Sequence, residues 1–80
     1  MTNDSQFPDI YLSPGTKVVH ESVNGILEYG VIVYCWISAV IKAYDCYVAF
    51  FGEKMPDGEP DGKPYILRYA VTSLRPAMSD

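Results

Sequence analysis

The 80-residue chain predicts an all-β fold: a small, strongly bent five-strand barrel behind an irregular N-terminal arm. Three observations carry that expectation. Segments 17–20, 30–37, 44–51 and 65–69 are dense in Val, Ile, Tyr, Phe and Trp, residue types that fit a pleated surface. Gly, Pro and Asn-Gly turn signals separate these segments at short intervals. No stretch carries the 3.6-residue apolar period of a helix of ordinary length. A sheet this small keeps two open edges and a thin core unless it closes on itself, hence a barrel.

The elements follow in order. Residues 1–14 form a polar arm, in which Pro8 and Pro14 exclude a continuous helix. Its apolar cluster Ile10-Tyr11-Leu12 is expected to dock, on its own domain or on a neighbouring subunit. The barrel domain is expected over 15–76, with a short tail at 77–80. Lys17-Val18-Val19-His20 opens the sheet, and Ser22-Val23-Asn24-Gly25 supplies an Asn-Gly turn. The strand at 30–37 is the strongest, being β-branched and aromatic and free of Ala, Glu and Lys. Residues 38–43, with room for a helical turn, lead to the strand at 44–51, which Gly52 ends. Pro56-Asp57-Gly58 and Pro60-Asp61-Gly62 are turn tripeptides in a polar loop from 53 to 64. Residues 65–69 form the last clear strand. Residues 70–74 make a single helical turn, and Arg75 and Pro76 close the sheet edge.

Folding the central hairpin symmetrically about residues 40 and 41 sets its faces. Cys35 then faces Cys46, Val33 faces Val48, and Val31 faces Phe50. The second face carries Ile32, Tyr34, Trp36, Tyr47 and Phe51. Neither face is polar. A domain with one wet face should alternate apolar and polar residues, so something must cover the second face. The candidates are the N-terminal arm and another subunit, and a homo-oligomer, dimer or higher, is expected.

Composition removes several functions. Hydrophobic residues make up 49% of the chain, enough for a core, and the net charge is -4. A sequence pI near 4.7 disfavours a surface that tracks nucleic-acid phosphates. No apolar run reaches the roughly 18 residues of a membrane span. Met1-Thr2-Asn3-Asp4-Ser5 is polar and acidic where a signal peptide is basic and then apolar, so a cytoplasmic location is expected. Cys35 and Cys46 are then reduced neighbours on adjacent strands. With two Cys and one His, the chain lacks the paired ligands of a zinc site, and no nucleophile motif accompanies His20. Glu53, Asp57, Glu59 and Asp61 lack the spacing of a calcium loop and are expected as a solvated turn. No metal, cofactor or catalytic residue is expected.

The run of Gly15-Thr16-Lys17-Val18, Gly30-Val31-Ile32-Val33, Tyr47-Val48-Ala49-Phe50 and Tyr69-Ala70-Val71-Thr72-Ser73-Leu74 resembles SH3-like small barrels. In that group a turn-bounded first strand, two long bent strands and a helical turn before the last strand recur. Tyr69, Val71 and Leu74 also fit the Tyr-x-Val-x-x-Leu segment of the type II dihydrofolate reductases, small SH3-like proteins of plasmids and integron cassettes. In that family a Val-Gln-Ile-Tyr run lines a pore at the centre of a tetramer. Here Ile66-Leu67-Arg68-Tyr69 stands in its place, and His20 stands where the family has a pore lysine. Leucine cannot make the glutamine's hydrogen bonds to pterin and nicotinamide, so the resemblance implies side-by-side assembly without the reductase chemistry.

The candidate ligand or interface residues are Tyr34, Trp36, Asp45, Tyr47, Arg68 and Tyr69. Trp36 and Tyr34 beside Asp45 would form an aromatic cage with an acidic rim, suited to a cation or a peptide. Tyr and Trp are equally the residues of protein interfaces. The expected function is a binding or assembly module that uses its aromatic sheet face for self-association or ligand contact. The alternative is a small-molecule binding protein or enzyme whose site forms between subunits, as in those reductases.

Overall fold

The computed structural model describes residues 6–54 and 63–77. Its strands are β1 (Lys17–Glu21), β2 (Leu27–Ser38), β3 (Ala43–Gly52), β4 (Tyr65–Ala70) and β5 (Arg75–Pro76). They form one antiparallel sheet in the order β4-β3-β2-β1-β5, with a 3-10 turn at Val71–Ser73 between the last two. The fold is all-β. Both turn tripeptides of the 53–64 loop, with Asp57, Glu59 and Asp61, lie outside the described residues.

Two turns set the hairpins. In the first, Gly25 takes φ +83°, a region open to glycine, and the Ser22 hydroxyl oxygen accepts the Asn24 and Ile26 N–H groups at 3.2 Å each. In the second, the Lys42 N–H donates to the Ser38 carbonyl at 2.7 Å. From Ser38–Ala43 to Tyr34–Tyr47 the β2–β3 hairpin is symmetric, and Cys35 faces Cys46. Both cysteines are free and buried.

Beyond Tyr34 the expected register fails. Val33 bulges, so Ile32 faces Val48 and Val31 faces Ala49, in place of the Val33–Val48 and Val31–Phe50 pairs. A second shift at Phe51 restores the offset, with Tyr29 opposite Gly52. A one-residue slip sends every following side chain to the other face. Ile32, expected outside, is therefore 2% exposed in the core, and Val33, expected inside, is 43% exposed. Gly30 leaves no room for a side chain: a Cβ there would lie 2.5 Å from the Ala49 carbonyl oxygen and 2.8 Å from Val48 Cγ1.

The core gathers Val18, Ile32, Cys35, Cys46, Val48, Phe50, Val71 and Leu74 from the sheet and the 3-10 turn, and Leu12 from the arm. Leu12 donates its N–H to Cys35 Sγ at 3.4 Å, and the Phe7 N–H reaches the Leu74 carbonyl at 3.0 Å. Asp9 Oδ1 accepts the Tyr44 N–H at 2.7 Å. The described part of the arm, residues 6–14, therefore lies over the core face, the side of Cys35. Of its apolar cluster only Leu12 is buried; Ile10 and Tyr11 stay exposed. Burying one Leu is worth about 1.5–3 kcal/mol, which ties the arm to the domain rather than to the solvent.

Curvature is visible in side-chain contacts. β4 and β1 stand three places apart in the sheet, about 14 Å if it were flat. Yet the His20 ring on β1 stacks on Tyr69 of β4 with centroids 4.3 Å apart. The sheet is rolled tightly around its core, although no pairing joins β4 to β5 among the described residues.

Candidate functional site

Cross-strand partners share a face, so the register defines the outer side. Trp36 lies opposite Asp45, Tyr34 opposite Tyr47, Tyr47 opposite Arg68, and Ala49 opposite Ile66. The rings form a continuous strip. Tyr34 and Trp36 stack with centroids 5.8 Å apart, and Trp36 meets Tyr47 at 5.0 Å. Tyr34, Tyr47 and Ile66 are all exposed.

Five of the six expected residues meet here. Asp45 is buried at the floor, its side chain 5% exposed, and Arg68 covers it from above at 55%. Arg68 Nε and Nη2 each donate to Asp45 Oδ2 at 2.8 Å. The guanidinium carbon also stands 5.5 Å from the centre of the Trp36 ring. The cage expected for a foreign cation thus already holds the chain's own cation. Cation–π contact and charge pairing are both spent inside the molecule.

Tyr69, the sixth residue, is not part of this strip. Successive strand residues point to opposite faces, and with Arg68 outward Tyr69 turns to the core side. There it stacks on His20 and meets Phe50 edge-on at 5.8 Å. Glu28 joins this group, opposite His20 in the β1–β2 register. Glu28 Oε2 accepts the Tyr65 hydroxyl at 2.5 Å, and its Oε1 stands 3.8 Å from His20 Nδ1, a buried atom without a hydrogen bond. The bond to Glu28, then burial and the nearby carboxylate, push the Tyr65 phenol up to about 12. Burial, then Glu28, raises Tyr69 as well. Glu28 was missed in the sequence: symmetry about the Asn24-Gly25 pair would set His20 opposite Tyr29, whereas the hairpin centres on Asn24 alone and sets it opposite Glu28.

Elsewhere, burial first, then Cys35 and Asp45, push the Cys46 thiol up to about 12, so it stays protonated and donates to the Tyr69 carbonyl at 3.3 Å. A polar cleft of about 280 Å³ is lined by Gln6, Val19, Glu21, Ser22, Ser73 and Arg75, and Glu21 takes an Arg75 nitrogen at 3.2 Å. Among the described residues no cluster of three His, Cys, Asp or Glu side chains could hold a metal ion, and no helix is long and apolar enough to cross a membrane. Comparison with protein-family profiles, curated proteins and solved structures found no match.

Proposed function

We propose that the protein is a non-catalytic assembly module on an SH3-like barrel, and that it binds a second copy of itself through the outer aromatic strip. The fold part of this reading is supported by the order β4-β3-β2-β1-β5 and by the 3-10 turn before the last strand. The observation that carries the function is the outer strip, in which Tyr34, Tyr47 and Ile66 are exposed around half-buried Trp36 among the described residues, with Phe7 and Leu12 of the arm on the opposite face. Charge is consistent with a self-partner. Two chains of net charge -4 repel, but Arg68 and Asp45 neutralise each other at the contact, so two strips meet without like charges opposed. Apolar strips of this kind are rarely left in water by monomers.

Light scattering tests the reading. The full chain is expected at a multiple of 8.9 kDa, and a Tyr34→Ser/Tyr47→Ser variant at lower mass with an unchanged far-ultraviolet spectrum. A native chain that stays at 8.9 kDa at millimolar concentration removes the proposal. One observation favours a second reading, a ligand site formed between subunits: the unbonded His20 Nδ1 beside Glu28, Tyr65 and Tyr69 on the core side. A thermal-shift screen with pterins, nicotinamide nucleotides and cationic drug-like compounds decides that case, since a bound ligand raises the melting temperature by mass action.

A further inference from the structure

We infer that β4 is a second self-association element, pairing antiparallel with β4 of another copy about a two-fold axis at Leu67. The inference rests on the self-association reading but uses a different surface, the sheet edge rather than the outer strip.

The two edges of the sheet differ. β5 has two residues and ends in Pro76, which has no N–H to offer a newcomer. β4 has six, Tyr65 to Ala70, and among the described residues its backbone pairs only with β3. Its first four residues are exposed, it holds no proline, bulge or carboxylate, and three of those four are Tyr65, Ile66 and Leu67. Natural proteins guard such edges with Lys, Pro, bulges or a covering segment, because unpaired N–H and C=O groups recruit another strand. The strand itself carries Arg68 and no carboxylate, and the Glu28 and Asp45 carboxylates that reach it are bonded to Tyr65 and Arg68, so two acidic chains meet along β4 without carboxylates of the two strands opposed.

The register follows from faces and charge. A continuous sheet needs outer residues opposite outer residues, so the axis must pass through a residue and not between two. An axis at Arg68 sets two guanidinium groups opposite each other, which is repulsive. An axis at Ile66 draws Pro64 into the ladder opposite Arg68, where it cannot donate. An axis at Leu67 avoids the first and moves Pro64 to the very end of the ladder, opposite Ala70 of the partner subunit, leaving five pairs from Tyr65 to Tyr69 free of proline. It places Leu67 opposite Leu67 of the partner subunit, Ile66 opposite Arg68 of the partner subunit, and Tyr65 opposite Tyr69 of the partner subunit. Ile66 then packs on the apolar stem of that arginine while Asp45 keeps its head. Edge pairing extends the outer strip across two copies without covering it, so the two interfaces are separable. With both in use the assembly exceeds two chains.

Single cysteines on the full chain test the axis, since the native thiols are buried. Leu67→Cys is expected to give a covalent dimer under mild oxidation, because residues directly opposite have Cα atoms about 4.5–5.5 Å apart, within disulfide reach. Ile66→Cys alone and Arg68→Cys alone should not, as their own copies sit diagonally, about 7–8 Å away. Mixed together, those two variants should cross-link. Amide exchange on the unmodified protein gives a readout independent of substitution: β4 amides should be at least tenfold better protected at high than at low concentration. A native assembly above 8.9 kDa with no Leu67→Cys dimer and no protection of β4 overturns the edge and leaves the outer-strip reading standing. Self-cross-linking of Ile66→Cys or Arg68→Cys in place of Leu67→Cys overturns the axis. A Tyr34→Ser/Tyr47→Ser chain that keeps its mass while Leu67→Cys still cross-links overturns the strip and supports the edge.

Discussion

Arg68 acts at once as the counter-ion of a buried carboxylate and as the lid of an indole ring. Both roles need the planar, forked head: two nitrogens bond Asp45 Oδ2 at 2.8 Å while the plane lies near Trp36. Asp45 has little water around it, so removing the cation leaves a carboxylate badly compensated. Arg68→Met is expected to lower unfolding stability by about 2–3 kcal/mol, less than for a fully buried pair because Arg68 is half in solvent. Urea denaturation measures it, and adding Asp45→Asn should recover part of the loss. A drop below about 0.5 kcal/mol would place the pair among ordinary surface bridges. A second residue-scale effect comes from Cys46 and Tyr65, whose folded-state values are both raised to about 12. A raised value means that the folded state holds its proton more tightly than the unfolded chain. Their stabilisation is complete below the ordinary values, 9.0 for the thiol and 10.0 for the phenol, and is lost as pH climbs towards 12. The urea midpoint should therefore be flat up to about pH 9 and fall between pH 9 and 12. A midpoint that rises over that range contradicts the assignment.

At the scale of the element, Gly30 shows how one residue fixes strand geometry. Its backbone presses against Ala49 and Val48 where β2 and β3 meet near the bulges, so any Cβ must displace backbone. Gly30→Ala is expected to cost about 1–3 kcal/mol, as overpacking does, and thermal unfolding reads it out. A neutral result would mean that the strands separate there freely. Much of this architecture was legible in the residues. β-branched and aromatic density marked β2, β3 and β4, the Asn24-Gly25 pair marked the first turn, and hairpin symmetry placed Cys35 opposite Cys46. The bulge was not legible. Ile32 and Val33 are adjacent, β-branched and equally apolar, so no hydrophobic contrast tells which one faces the core, and no Gly or Pro marks the slip. The arm's destination was hidden for the same reason, because with two apolar faces Leu12 could have served either. Arg68 stood close to Asp45 only in space. The connection from β3 to β4 spans residues 53–64, too long for hairpin symmetry to set their register from the sequence, and the cage could be drawn with Asp45 free.

For the whole molecule, size and surface are coupled. An 80-residue chain has room for one thin core, here sealed on one side by Leu12 and Phe7 from the arm. Chains this small are marginal alone and often gain stability from a partner. If the outer strip associates, the folded state is favoured by mass action while the unfolded chain is not, and melting becomes concentration-dependent. For a two-fold pair, raising the chain concentration a hundredfold adds RT ln 100, about 2.7 kcal/mol per dimer or about 1.4 per chain. A domain of this length shifts by about 4–8 °C per kcal/mol, so the melting temperature should rise by roughly 5–10 °C. The Tyr34→Ser/Tyr47→Ser chain should lose the share of that dependence that the strip supplies and keep only what the β4 edge contributes. Differential scanning calorimetry at the high concentration and fluorescence of Trp36 at the low one cover the range. Trp36 also reports association directly, because its ring lies in the strip between Tyr34 and Tyr47. A melting temperature independent of concentration, with Trp36 emission unchanged on dilution, would show that the strip stays in water and that the single core suffices.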